Sequence, residues 1–240
     1  MLPLELNAVS FAADGTAIIR DLSARIEAGP RTIILGPNGA GKSVLMRLCH
    51  GLLIPTAGRI VWHGAMNGAK SVDVRRRQAM VFQRPVMLRR STLANVIYGL
   101  KLAGKSRREC ELRAMDVLEV VGLAQHAARP ARILSGGEQQ KLALARAWAL
   151  GPDVLFLDEP TANLDPAATQ EIENIINAIH ASGTKIIMTT HNLGQARRLG
   201  DEILFMSNGR LMEHTVIDRF FKEPSSPEAS AFIKGELPWQ

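Results

Sequence analysis

The stretch TIILGPNGAGKS, residues 32–43, determines the fold. It opens with an apolar run that ends in glycine, the pattern of a strand buried on both faces of a parallel sheet. From the glycine onward it matches G-x-x-x-x-G-K-[ST], a loop that holds phosphate groups where it follows a strand and opens a helix. A helix is predicted from about Lys42 to His50, ended by Gly51. The predicted phosphate-binding residues are Gly36, Pro37, Asn38, Gly39, Ala40, Gly41, Lys42 and Ser43.

The residue types in this loop suit a nucleotide with several phosphates. Gly36, Gly39 and Gly41 allow the backbone to curl, so that amide groups converge on phosphate oxygens. The helix that follows directs the positive end of its dipole at the same place. Lys42 is expected to reach the β- and γ-phosphates, and the Ser43 hydroxyl is expected to ligate Mg²⁺.

A second candidate site lies at the end of another apolar strand, DVLFLDEP, residues 153–160. Parallel sheets bind ligands at the carboxyl ends of their strands, which is where Asp158 and Glu159 fall. Asp158 is predicted to hold Mg²⁺, directly or through water. Glu159 is predicted to polarise the attacking water of a hydrolysis reaction.

The third motif is LSGGEQQ, residues 134–140. Ser135, Gly136 and Gly137 lie at a predicted helix start and can form a second anion site. A plain helix cap is the alternative interpretation. One nucleotide needs two helix N-termini on opposite sides only if it is sandwiched between them.

The order of predicted elements indicates an α/β protein with a helical insertion. Short strands broken by turns fill the N-terminal third, residues 91–150 are mostly helical, and strands then alternate with helices again. Alternation of this kind is typical of a mostly parallel sheet covered by helices. We expect an α/β core at 1–83 and 151–240, with an antiparallel β part at its N-terminus, and an all-helical subdomain at 84–150.

Composition excludes several classes of protein. Among 240 residues, 46% are hydrophobic and 22% charged, which is unlike a disordered tail, a collagen-like fibre or a disulfide scaffold. A membrane-spanning helix needs a run of about 18 uncharged apolar residues, and the sequence contains none. The start, MLPLELNAVS, lacks the pattern of a secretion signal. Cys49 and Cys110 lack zinc-like spacing and are expected to be buried thiols of a reducing cytosol.

The net charge of +6 raises the question of an anionic partner. A surface that binds nucleic acid usually interleaves aromatic side chains for stacking, whereas only 5% of residues here are aromatic. We therefore expect no nucleic-acid partner and interpret the densest basic cluster as solvated or facing protein. That cluster is Arg75, Arg76, Arg77, Arg84, Arg89 and Arg90.

Taken together and in order, these motifs resemble those of ATP-binding cassette (ABC) ATPases. GPNGAGKS is similar to the Walker A loop, DVLFLDEP to Walker B, and LSGGEQQ to the signature motif of that family. The resemblance extends over nearly the whole chain. It also covers three single residues: Gln83 resembles the Q-loop glutamine, Asp165 of ANLD the D-loop aspartate, and His191 after MTT the switch histidine.

The resemblance implies a P-loop NTPase core and an ATPase that needs ATP and Mg²⁺. It implies that two copies dimerise head to tail, each ATP lying between one subunit's phosphate loop and the other's signature. His191 would contact the γ-phosphate and help to orient the attacking water, alongside Glu159. Gln83 would sense Mg²⁺ and water and link the core to the helical subdomain.

The chain departs from the family's pattern at two places. An aromatic residue that stacks on adenine is usual near the first turn, where SFAADG has Ala13 and Asp14. Phe11 is the nearby aromatic, and it either takes that role or belongs to the core. Lys141 follows the signature where arginine is commoner.

The stretch VFQRPVMLRRSTLANVIYGL, residues 81–100, resembles importer cassettes for phosphate, molybdate and tungstate. The segments 191–203 and 226–237 look most like tungstate importers. An importer subunit would lie peripherally on the cytoplasmic face of the inner membrane. It would work with integral-membrane permease subunits and indirectly with a solute-binding protein. The alternative is a soluble ABC ATPase that serves iron–sulfur assembly or acts on nucleic acid, and neighbouring genes would distinguish the two.

Overall fold

The computed structural model describes residues 1–64 and 71–236. Its internal contacts group the chain into two units, Met1–Gln78 with Lys185–Gln240, and Ala79–Thr184. The functional subdomains expected at 1–83, 84–150 and 151–240 stay a prediction. The last four residues of the tail, 237–240, lie outside the described residues.

An antiparallel sheet opens the first unit. Strands β1 (Leu4–Ala13), β2 (Thr16–Ile26) and β4 (Ala57–Trp62) form it in the order β2-β1-β4. The sequence predicted short strands here, but β1 and β2 are 10 and 11 residues long. They join at Asp14 and Gly15, both with positive φ (49° and 76°), so a turn is present where AADG predicts one and only the strands beside it are longer than expected.

A second sheet of the first unit contains β3 (Thr32–Leu35), β7 (Lys185–Thr190), β8 (Glu202–Ser207) and β9 (Arg210–Val216) in the order β7-β3-β8-β9. Strand β3 pairs in parallel with both β7 and β8, and β9 pairs antiparallel with β8. All residues of β3 and β7 are buried, which is why apolar side chains fill the middle of both strands. The predicted fold class, a mostly parallel sheet with an antiparallel N-terminal part, is confirmed.

Helix α1 begins and ends at the predicted residues, Lys42 and His50. Gly51 ends it in the left-handed conformation (φ 80°), and its amide donates to the carbonyls of Arg47 and Leu48. The remaining helices of this unit are α2 (Ser71–Arg76), α7 (Leu193–Leu199), α8 (Ile217–Lys222) and α9 (Pro227–Lys234).

The chain's C-terminal segment packs onto β8 through aromatic rings. Phe205 of β8 lies 5.5 Å from the ring of Phe220 in α8 and 5.3 Å from that of Phe232 in α9. The described part of the tail therefore adds to the core of the first unit, because all three rings are buried.

The second unit holds β5 (Gln78–Val81) beside β6 (Val154–Asp158), whose five residues are all buried. Each of its helices has a polar N-cap side chain that accepts a hydrogen bond from a first-turn amide. These helices are α3 (Thr92–Leu102), α4 (Arg107–Val120), α5 (Gly136–Ala149) and α6 (Pro166–Ala181). Two 3-10 turns, Ala124–His126 and Ala131–Ile133, connect α4 to α5.

Helices α5 and α6 lie side by side and run in the same direction. Lys141 of α5 forms an ion pair with Glu171 of α6. Towards the other end, Trp148 Nε1 donates to Ser182 Oγ at 3.2 Å. Both N-termini therefore lie at the same end of the pair, one starting after Ser135 and the other after Asp165.

Two expectations about side chains can be compared directly with the structure. Cys49 and Cys110 are buried free thiols, and burial raises the pKa of Cys49 to about 12. The six clustered arginines are exposed, and the Arg90 guanidinium lies 4.7 Å from the centre of the Tyr98 ring. Within the described ranges, no helix has the length and apolar character needed to cross a membrane.

Candidate nucleotide-binding site

Two glycines of the phosphate loop lie too close to neighbouring strands to carry a side chain. A Cβ on Gly36 would be 2.2 Å from the carbonyl oxygen of Met206 in β8. On Gly41 (φ 94°) it would be 2.8 Å from Ile19 Cδ1 and 3.2 Å from the Ile18 carbonyl oxygen in β2. The loop is thus held against β8 and β2, and glycine is required at both positions.

Lys42 is the first residue of α1, and its side chain is buried inside the loop. Its Nζ donates to the carbonyl oxygens of Gly36 and Pro37, each at 2.9 Å. The ammonium group therefore lies at the N-terminus of the helix, where the dipole is also positive. Ser43 follows it in the first turn of the same helix.

His191 emerges next to the phosphate loop, because the strands before them are paired. Leu35 of β3 is opposite Thr190 of β7 in a parallel ladder, so the chain leaves both strands at the same edge of the sheet. Asn192 fixes the turn that follows: its amide donates to Thr190 Oγ1 at 3.0 Å, and its Oδ1 accepts from the Gln195 amide at 2.9 Å. In the first unit, the structure therefore places the predicted loop and the predicted switch histidine together.

The acidic strand end belongs to the second unit. Asp158 is the last residue of β6, and it is 4% exposed. Glu159 has φ 45°, a left-handed conformation that is uncommon for a residue other than glycine. Strained backbone of this kind is concentrated at functional sites and costs about 1–3 kcal/mol. The strain supports a functional role for the Glu159 position.

Short turns connect Glu159 to the predicted D-loop residue. The amide of Ala162 donates to the Glu159 carbonyl at 3.1 Å, and that of Leu164 to the Thr161 carbonyl at 3.2 Å. Asp165 then caps α6, its Oδ1 accepting from the Ala168 amide at 2.8 Å. The exposed Asp165 carboxylate thus starts the helix that runs beside α5.

The signature residues lie at the start of α5, next to the first turn of α6. A Cβ on Gly137 would be 3.2 Å from the Cβ of Ala168, whereas one on Gly136 would contact nothing within 4 Å. Ser135 Oγ accepts from the Glu138 amide at 3.3 Å. The helix cap that the sequence offered as an alternative is therefore present. In the second unit, the structure brings Ser135, Gly136 and Gly137 close to the helix that Asp165 caps.

Sequence reasoning missed the side chains that hold this cap. The Glu138 carboxylate accepts from the Ser135 amide at 2.8 Å and pairs with His126 Nε2 at 3.2 Å, and Arg129 Nη1 lies 3.3 Å from His126 Nδ1. The hydrogen bond from the Ser135 amide, together with the charge of Arg129, holds the pKa of Glu138 below its ordinary value. Ser135 and Glu138 are three residues apart, the spacing of a capping box, so this signal was available.

Two further predicted positions have simpler surroundings. Gln83 is exposed two residues after β5, the strand beside β6. Lys141, the departure from the usual arginine, uses its ammonium group in the ion pair with Glu171.

Phe11 is half-buried on β1, opposite Ile19 of β2. Ile19 is the residue that approaches Gly41, so Phe11 belongs to the sheet that borders the phosphate loop. The family's aromatic residue was expected at Ala13 and Asp14, where half-buried Ala13 ends β1 and exposed Asp14 lies in the turn that follows.

The predicted magnesium donors are a hydroxyl (Ser43), a carboxylate (Asp158) and an amide oxygen (Gln83). Mg²⁺ prefers oxygen ligands of this kind, often with phosphate oxygens and water, so the donor set suits it. Among residues 1–64 and 71–236, no group of three histidine, cysteine or acidic side chains is placed to hold a metal.

A glycine loop around a buried lysine at the end of a parallel strand defines a nucleoside triphosphatase of the phosphate-loop class. Comparison with known proteins makes this assignment more specific. Residues 19–162 match the ABC transporter family, and the chain belongs to that family. It is an ATP-binding protein and an ATPase, as the resemblance implied.

Relatives of the chain match it over most of its length. A phosphate import ATP-binding protein of Natronomonas pharaonis is 36% identical, over 98% of this chain and 87% of the relative. The tungstate uptake ATP-binding protein TupC of Peptoclostridium acidaminophilum is 38% identical, over 86% and 94%. A methionine import ATP-binding protein of Caulobacter vibrioides is 36% identical, over 94% and 70%.

Solved structures share the fold. CbiO1 of Clostridium perfringens, part of an ABC transporter complex, has a TM-score of 0.82 at 28% identity, over 98% of this chain and 95% of its own. A bacterial Atm1-family ABC exporter with ATP bound also scores 0.82, at 27% identity. That match covers 99% of this chain and 42% of the exporter chain.

Proposed function

We propose that the chain is the ATP-hydrolysing subunit of an importer for an inorganic oxyanion, with tungstate as the first candidate and phosphate or molybdate as the others. The observation that carries the proposal is the near full-length match to ATP-binding proteins of phosphate and tungstate importers. A methionine importer subunit matches at similar identity, so the cargo requires a direct test.

In the proposed mechanism, two copies bind head to tail and enclose two ATP molecules. The loop from Gly36 to Ser43 cradles the phosphates, and Lys42 neutralises charge on the β- and γ-phosphates. Ser135, Gly136 and Gly137 of the second copy, with its Asp165, contact the same nucleotide from the other side. This accounts for a glycine-rich helix start in each unit of the chain.

Hydrolysis is assigned to the residues at the strand ends. Glu159 accepts the proton of the attacking water. His191 contacts the γ-phosphate, and Gln83 orients water beside it. Bound Mg²⁺, held by Ser43 and Asp158 with Gln83 nearby, would neutralise the phosphate charge that develops in the transition state.

The partners in this proposal are a second copy of the chain, integral-membrane permease subunits and, through them, a solute-binding protein outside the membrane. The chain then lies on the cytoplasmic face of the membrane as a peripheral subunit. Its helical part, which follows Gln83, faces the permease and transmits the closure of the ATP-bound dimer.

Reconstitution tests the cargo. In vesicles that contain the permease and this ATPase, we expect ATP hydrolysis to rise with the tungstate-loaded binding protein and not with the phosphate-loaded one. The unloaded binding protein is the control for both. If only the phosphate-loaded or only a methionine-loaded binding protein stimulates ATP hydrolysis, that solute would replace tungstate as the proposed cargo. Equal stimulation by all, or by none, would remove the cargo claim and leave the ATPase assignment intact.

Base selectivity should be weak. Stacking of a base on an aromatic ring is worth about 1–3 kcal/mol, and the usual ring is missing at Ala13 and Asp14. We therefore expect GTP to compete with ATP to within about tenfold, since 1.4 kcal/mol is a factor of ten. Competition binding with the wild type and with Phe11→Leu, which keeps the apolar bulk, measures this ratio.

Phe11→Leu also separates the two roles of the ring. If Phe11 belongs to the sheet, the variant leaves the ATP-to-GTP ratio unchanged. An ATP preference well above tenfold that falls in Phe11→Leu would show that Phe11 stacks on adenine. A strong preference that survives the substitution would mean that another residue holds the base.

A further inference from the structure

The hydrogen-bond directions around the signature serine can be assigned from its neighbours. Ser135 Oγ accepts from the Glu138 amide at 3.3 Å, and the Ser135 amide donates to the Glu138 carboxylate at 2.8 Å. A hydroxyl that accepts through its oxygen keeps its own hydrogen for another acceptor. At an exposed helix start, that hydrogen is available to an oxyanion.

The next step outward concerns His126, which lies in the 3-10 turn before the signature. Its Nε2 lies 3.2 Å from a Glu138 carboxylate oxygen, and its Nδ1 lies 3.3 Å from Arg129 Nη1. Arginine has only donors, so this contact is a hydrogen bond in the tautomer whose Nδ1 accepts. That tautomer carries its hydrogen on Nε2 and donates it to Glu138.

A continuous chain of hydrogen bonds therefore runs from Arg129 through His126 and Glu138 to Ser135. It fixes the rotamer of Glu138, whose carboxylate holds the Ser135 amide, and so it steadies the backbone turn in which the Glu138 amide binds the Ser135 hydroxyl. The same chain also reduces an electrostatic cost. A carboxylate in the first turn of α5 weakens the attraction between the positive end of the helix dipole and an incoming phosphate, and so offsets part of the dipole's effect. The nearby Arg129 charge and the His126 N–H reduce that offset.

We propose that His126 is a positioning residue of the signature site, acting through Glu138 to direct the Ser135 hydroxyl at the terminal phosphate of an ATP held by a second copy. This inference rests on the composite site of the proposed function. It assigns the roles of His126 and Arg129, which lie outside the signature motif itself.

ATP-driven dimerisation in a hydrolysis-deficient Glu159→Gln background tests the proposal. Light scattering during ATP titration gives the ATP concentration for half-maximal dimer. We expect His126→Leu to raise it about tenfold, the usual effect of losing one hydrogen bond to a charged group. The amide of His126→Gln can accept from Arg129 and donate to Glu138, so this variant should bring the ATP concentration for half-maximal dimer most of the way back to the parent value. His180→Leu, a half-buried histidine at the far end of α6, is the matched control and should leave it unchanged.

A double-mutant cycle separates positioning from a general structural effect. If His126 acts through Ser135, the variant with both Ser135→Ala and His126→Leu should need no more ATP than Ser135→Ala alone. Additive effects would overturn the proposal. Nitrogen NMR of the histidine ring should show His126 protonated at Nε2 and not at Nδ1, and the opposite tautomer would also overturn it.

The remaining outcomes distinguish this inference from the function beneath it. A Ser135→Ala variant that dimerises like its parent would remove the composite site and this inference with it. A large effect of Ser135→Ala with none from His126→Leu would leave the composite site standing and overturn the positioning role alone. If His126→Leu is unstable, Arg129→Met, at an exposed position, breaks the same chain and should shift dimerisation in the same direction.

Discussion

Replacing Glu159 with glutamine should nearly abolish ATP turnover and trap the protein as an ATP-bound dimer. The amide has the shape of the carboxylate but cannot accept a proton from the attacking water, and general-base catalysis contributes about 10²–10⁴-fold. Binding should survive, because the proposed contacts to the phosphates are made by the loop from Gly36 to Ser43 and not by Glu159. Size-exclusion chromatography with ATP and Mg²⁺ should show a dimer that the wild type forms only transiently.

The control for this experiment is Glu119→Gln, the same change at an exposed glutamate on α4. It should hydrolyse ATP like the wild type. A Glu159→Gln protein that stays monomeric with ATP while it hydrolyses at the wild-type rate would contradict the assigned role. The backbone at position 159 has φ 45°, and glutamine and glutamate face the same strain there. A loss of activity can then be attributed to the lost charge and not to refolding of the turn.

Two inactive variants, Lys42→Ala and Gly136→Asp, should partly restore each other's activity when mixed. Lys42→Ala removes the charge inside the phosphate loop, together with its hydrogen bonds to Gly36 and Pro37. Gly136→Asp places a negative charge where the opposing phosphate approaches, and like charges repel. The Gly136→Asp variant should fold normally as a single subunit, because a Cβ at Gly136 meets nothing within 4 Å.

The expected rescue follows from counting sites. Each homodimer of one variant has two defective sites. In a mixed dimer, one site combines both defects, while the other pairs an intact Lys42 with an intact Gly136. ATP hydrolysis should therefore appear on mixing, require Mg²⁺ and increase with protein concentration, since association is needed. Each variant alone, at the same total concentration, is the control.

Absence of activity in a mixed dimer has two explanations, which a covalently linked dimer resolves. Either the composite site is wrong, or both sites must be intact for turnover. A covalent tandem with both defects in one site has one intact site by design. Activity in that tandem supports the composite site, and none would show that a single intact site is insufficient.

The sequence predicted most accurately where single residues impose a backbone conformation. Helix α1 was predicted from Lys42 to His50 because Gly41 and Gly51, both left-handed in the structure, punctuate it on either side. The strand before the loop was predictable because every residue of β3 is buried, so an apolar run was required.

The hairpin from β8 to β9 was missed, although its turn residues are in the sequence. Asn208 and Gly209 both have positive φ (49° and 75°), the conformation for which an Asn-Gly pair is the strongest short-range signal. The strand after it, RLMEHTV, alternates weakly because it contains buried Glu213, whose carboxylate accepts from the Ser225 amide at 2.9 Å. That partner lies twelve residues away, and local patterns do not record such contacts.

The candidate site was found as motifs, but its supporting contacts were not. Lys42 was predicted as a ligand of phosphate. Its hydrogen bonds to Gly36 and Pro37 were not predicted, because they depend on the curl of the loop. His126 was passed over because it has no motif of its own and gains its partners only when the 3-10 turn brings it to Glu138.

If His191 contacts the γ-phosphate as proposed, the pairing of β3 with β7 lets the site distinguish a nucleoside triphosphate from a diphosphate. Leu35 and Thr190 face each other in the ladder, and neighbouring strands lie about 4.8 Å apart. The spacing between the phosphate loop and His191 is thus set by backbone hydrogen bonds and not by flexible side chains. Under the proposed role of His191, ATP is long enough to fill the loop and reach the histidine, whereas ADP fills the loop alone. Discrimination between ATP and ADP would then follow from the backbone ladder that holds the phosphate loop and His191 side by side.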